Sequence, residues 1–103
     1  MEDFTTADET LGALDDIRAK IGEVPAHVVV VNHVMGLYEL AAIHLSATPP
    51  RLADAALAID AVACLIEGLD TRLGDEHDTL TDALANIRLA FVQIKGAAGH
   101  DAP

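Results

Sequence analysis

From Leu52 to Ile94 apolar residues return at alternating steps of three and four, with one interruption at Gly74. Leu52, Ala55, Ile59, Val62, Ile66, Leu69 and Leu73 fill seven successive seam positions of a heptad, and the spacing resumes at His77, Leu80, Leu84, Ile87, Phe91 and Ile94. A period near 3.5 residues belongs to helices packed along a shared seam and cannot serve a strand, whose side chains alternate with period two. The pattern predicts helices over residues 51–73 and 75–95. A connection as short as Gly74-Asp75 leaves two helices of roughly 20 residues antiparallel, as a hairpin about 30 Å long.

Two further helices precede this hairpin. Thr6-Ala7-Asp8-Glu9 has the form of a capping box, and Leu11, Leu14, Ile17 and Ile21 recur behind it on one stripe, predicting an amphipathic helix over 6–21 that Gly22 ends. Pro25 suits a helix start, and Ala47-Thr48-Pro49-Pro50 breaks the chain again, so a second helix is expected over 25–46. Val28, Val31, Met35, Tyr38, Ala42 and Leu45 form its seam, while Val30, Val34, Leu37 and Ala41 lie opposite, leaving little of its circumference polar. The expected fold class is therefore all-α. It is a small antiparallel bundle of about four helices with a long C-terminal hairpin, in one domain over residues 1–96 followed by a flexible tail at 97–103.

Residues 28–95 also resemble the bacterial domain-of-unknown-function family 1844. The likeness lies in Ala42-Ile43-His44-Leu45, in Ile59-Asp60 followed by Leu65, and in Thr71 and Leu73 before a turn. It continues in Asp75-Glu76 and in Leu80, Leu84, Arg88, Phe91 and Val92 along the last helix. The resemblance implies a small all-helical cytoplasmic protein, brings no established activity with it, and raises a translation-associated accessory role as an alternative function.

Chemistry-bearing residues are few. Asp75, Asp78 and Asp82 share one helix face and form a weak candidate metal site, but carboxylates in a first helical turn more simply cap free N–H groups and complement the helix dipole. A Glu and a His three residues apart on one helix, as in carboxylate-bridged metal bundles, do not occur: Glu39 and His44 are five apart. Cys64 sits mid-helix near alanines and is expected to behave as a small buried hydrophobe. No phosphate-binding loop, nucleophile elbow, paired-cysteine motif or dinucleotide fingerprint is present. We therefore expect no catalytic residues, no cofactor and no enzyme activity.

Composition bears on partners. Lys and Arg total 6 against 17 Asp and Glu, a formal charge of −11 that repels nucleic-acid phosphates and anionic lipid headgroups. No direct nucleic-acid binding is expected, and a basic protein is the fitting partner. Between Val24 and Pro50 only Glu39 is formally charged, so length alone would permit a membrane span. Asn32, His33, Glu39 and His44 inside that stretch, with no basic cluster beside it, favour a helix covered by protein and no membrane association. The acidic opening Met1-Glu2-Asp3-Phe4 and the single cysteine give the cytoplasm as the expected address. The chain has 103 residues, 51% of them hydrophobic, and its apolar stripes exceed what a bundle this small can hide. A homodimer is expected, its interface formed by Val30, Val34, Leu37 and Ala41 on the second helix and Leu57, Ala61, Cys64 and Gly68 on the third, where small side chains permit close approach.

Overall fold

The computed structural model describes the backbone from Glu2 to Asp101 and the side chains of residues 9–98. Four α-helices follow one another, α1 Glu2–Glu23, α2 Ala26–Leu45, α3 Leu52–Leu69 and α4 His77–Asp101, with a 3₁₀ turn over Asp70–Glu76 between the last two. Among the described residues there is no strand, and the fold is an all-α bundle.

The breaks follow local chemistry. Proline at position 25, with φ −54° and ψ 136°, separates α1 from α2. Arg51 N–H donates to the His44 carbonyl at 2.9 Å, and Pro49 and Pro50 occupy the loop so closed. The Arg51 carbonyl then accepts from Ala55 N–H, and the Arg51 guanidinium holds Asp54 at 3.1 Å, which sets the first turn of α3.

Three expected boundaries move. The first helix begins at Glu2 and not at Thr6, whose side chain lies outside the described residues. The third ends at Leu69 and not at Leu73, because Asp70 turns to φ 48° and ψ −126°, a positive-φ conformation outside both helical regions that stops a helix. Gly96 does not end the fourth helix, which continues through the expected tail to Asp101; residues 102 and 103 lie outside the described residues.

Gly74 makes the second corner of the turn. Its φ of 77° and ψ of −149° belong to a region reserved for glycine, and a Cβ built there would stand 3.1 Å from the His27 imidazole. Gly74→Ala is expected to cost about 2 kcal/mol and to lower the melting temperature by roughly 10 °C. Calorimetry showing an unshifted transition would mean that the turn relaxes freely.

The core lies among α2, α3 and α4 and is wholly aliphatic. Val31, Val34, Ala41 and Leu45 of α2 meet Ala55, Ala58, Ile59, Val62, Ala63 and Ile66 of α3, and Leu80, Leu84 and Ile87 of α4 close it from the side. Leu73 fills the corner beneath the 3₁₀ turn. Alanines concentrate on the inward faces of α2 and α3, the most extensively packed pair, where short side chains let the two backbones draw together.

The buried face of α2 differs from the expected seam. Val34 and Ala41, assigned to an interface by the sequence, are 0% exposed within the single chain, and Val30 and Leu37 are half-buried against the core. Val28 and Met35, expected inside, are exposed. A helix that is apolar nearly all round carries several stripes of identical period, so periodicity identifies the helix without saying which stripe its neighbours will choose.

α1 does not join the bundle. Every described residue from Glu9 to Glu23 is exposed, the apolar stripe included. The molecule is accordingly elongated, 66 × 36 × 15 Å with a radius of gyration of 19.4 Å, where a compact domain of this length has about 13 Å.

Candidate functional site

The densest polar arrangement is at the corner where the 3₁₀ turn enters α4. The positive-φ Asp70 projects toward His77, placing Oδ1 3.1 Å from Nε2, while Asp78 Oδ1 lies 3.2 Å from Nδ1. Both ring nitrogens of His77 therefore face carboxylate oxygens, one from the turn before the helix and one from its own first turn. Thr81 Oγ1 donates to the His77 carbonyl at 2.9 Å. Arg88 on α4 reaches Glu67 on α3 at 3.6 Å.

These residues line an open groove of about 430 Å³ between α3 and α4, floored by Ile66 and Leu84. The groove contains no thiol, its hydroxyl is committed to the helix backbone, and its histidine is committed to two carboxylates. The arrangement fastens the α3–α4 corner. The sequence places His77 at a seam position and gives no sign of Asp70 as its partner. The missing signal is backbone conformation, since a continuous heptad puts Asp70 one residue past Leu69 on a regular helix.

Asp75, Asp78 and Asp82 are all exposed and are not gathered around a common point. Among the described residues no group of three or more His, Cys, Asp or Glu side chains is placed to hold a metal ion, so this weak candidate site is not assembled within the chain. His33 is exposed and its Nδ1 donates to the Val29 carbonyl at 2.8 Å. Cys64 is exposed rather than buried.

The remaining sequence-derived interface residues lie on the open back of α3. Leu57 is 72% exposed, Cys64 and Gly68 are exposed and Ala61 is half-buried. Nothing lies within 4 Å of a Cβ built on Gly68, so no helix of the same chain approaches closely there. Leu89 and Val92 on α4 are also exposed, and a smaller groove lined by Ala56, Ile59, Asp60, Arg88, Phe91 and Val92 runs between the two helices.

A further apolar surface, not singled out by residue from the sequence, is open on α2. On the outer side of α2, Val28, Met35, Leu40 and Ile43 are exposed and Val29 is half-buried, with Glu39 as the only formal charge on the helix. By length and composition α2 is long and apolar enough to cross a membrane, yet the bundle buries only 22% of its most apolar stretch. No protein-family model, curated protein or solved structure matches the chain.

Proposed function

We propose that this chain is a non-enzymatic helical interaction module that associates with a second copy of itself and offers its acidic exterior to a basic protein partner. The observation that carries the reading is α1, a 22-residue helix whose whole apolar stripe, Leu11, Leu14, Ile17 and Ile21, stands in solvent. Tertiary burial of an amphipathic face supplies most of a helix's stability, so a helix of this pattern calls for a surface to cover it. The open faces of α2 and α3 provide apolar surface in the same molecule. The proposed address is the cytoplasm, in keeping with a single cysteine that can form no disulfide within the chain.

The charge balance separates the two kinds of association. Copies of net charge −11 repel one another, so apolar self-association tightens as salt screens that repulsion, whereas binding to a basic partner weakens. Sedimentation equilibrium across a micromolar concentration range should give twice the 10.8 kDa monomer mass, with a larger dimer fraction at high salt. A single species at 10.8 kDa throughout rules out the self-associating module.

A further inference from the structure

We infer that the dimer forms by exchange of the first helix: α1 of each copy docks along the outer face of α2 in the other copy and becomes the fourth helix of that bundle. The inference rests on the self-association proposed above and names its surface. Among the uncovered apolar faces of the described residues, those of α1 and α2 match in length, 22 residues on α1 against 20 on α2.

The first helix does not reach its own α2 face. The Val24–Pro25 joint keeps one hydrogen bond on each side, Val24 N–H to the Ile21 carbonyl at 3.1 Å and Val28 N–H to the Pro25 carbonyl at 3.0 Å. α1 thus runs out beyond the bundle, and the 66 Å extent approaches two helices of about 30 Å set end to end. A two-fold axis near the joint would lay each α1 beside the other copy's bundle, antiparallel to its α2. Each copy then gives one helix and receives one, which closes the assembly as a dimer.

Charge selects this pairing over the alternatives. α1 carries seven carboxylates, Glu2, Asp3, Asp8, Glu9, Asp15, Asp16 and Glu23, against only Arg18 and Lys20, so pairing α1 with α1 concentrates like charge. The open side of the α3–α4 hairpin presents Asp60, Glu67 and Asp70 against Arg88. The α2 face presents Glu39 alone and opposes an acidic helix least.

Area supports the same conclusion. The four stripe residues of α1, Val24 at the joint, and Val28, Met35, Leu40 and Ile43 on α2 stand 39–65% exposed. Together they offer apolar surface on the order of what each partner gives to a standard interface, roughly 800 Å².

The test compares the full chain with two double variants that alter only side chains exposed in the single copy, Leu14→Glu with Ile17→Glu and Leu40→Glu with Ile43→Glu. In sedimentation velocity each variant alone should lose dimerisation, its dissociation constant rising at least roughly a hundredfold. Circular dichroism should show the bundle intact. An equimolar mixture of the two variants should regain a dimer, because the mixed pair keeps one intact α1 docked on one intact α2. Gly36→Asp, on the same face with nothing within 4 Å of its Cβ position, replaces the α2 variant if that variant does not fold. If an α2-face variant dimerises as the wild type does, helix exchange is overturned while self-association stands. If the wild type is monomeric, whether extended, folded back on itself or captured only by phosphatidylcholine vesicles, both fall together.

Discussion

Leu73→Ala is expected to lower the free energy of unfolding by about 3 kcal/mol, within the range found when a buried leucine is cut back to its Cβ. Leu73 is 1% exposed and sits where the 3₁₀ turn meets α2 and α4. The cost depends on whether the surroundings collapse into the vacated space, and here they are constrained. The turn is pinned by the positive-φ Asp70 on one side and by Gly74 against the His27 ring on the other. The shortened side chain therefore leaves a cavity whose lining has lost its contacts. Urea titration should show an earlier midpoint with an unchanged slope; a loss below about 1 kcal/mol would mean that the turn closes over the gap and that Leu73 is not its anchor.

Val34→Asp is expected to abolish the bundle, whereas Met35→Asp, one residue along, should leave it folded. Val34 lies at the centre of α2's inward face with no exposure, and no buried polar or charged residue exists among the described residues to receive a carboxylate. An unpaired buried charge costs several kcal/mol, which matches much of the 5–15 kcal/mol that holds a typical domain together. The Met35 side chain reaches solvent, so a carboxylate there stays hydrated. Helical content and melting of the two variants, measured side by side, identify which stripe of α2 is core. A folded Val34→Asp protein would return that stripe to the surface and restore the sequence-based assignment.

These two substitutions mark where the sequence could be read and where it could not. The α3–α4 hairpin was legible because its outer faces carry Asp54, Asp60, Glu67, Asp82 and Arg88, and that contrast leaves one stripe to bury. On α2 the contrast is missing. Val30, Val34, Leu37 and Ala41 pass for spare surface in the sequence because Val28, Val31 and Met35 meet the same spacing rule, and the packing of α3 decides between the two stripes. The α3 set fared differently: Leu57, Cys64 and Gly68 do face solvent, although nothing in the single chain approaches Gly68.

At the polar corner the carboxylates are visible in the sequence, but their grouping with His77 is not. The candidate metal site took Asp75, Asp78 and Asp82 from an ideal helix. The observed pairing takes Asp70 from the preceding turn, through a backbone angle that no side-chain spacing encodes.

The sequence by itself determined that this protein is helical, roughly where its helices break, and that it carries more apolar surface than a small bundle hides. Those properties follow from period, from proline and glycine placement and from composition, all of which act over a few residues. Only the tertiary structure decided which stripe of α2 turns inward, that Asp70 and not Leu73 stops the third helix, and that α1 stands clear of the other three. Such choices depend on competition among faces of nearly equal hydrophobicity, and that competition is resolved only when the helices meet.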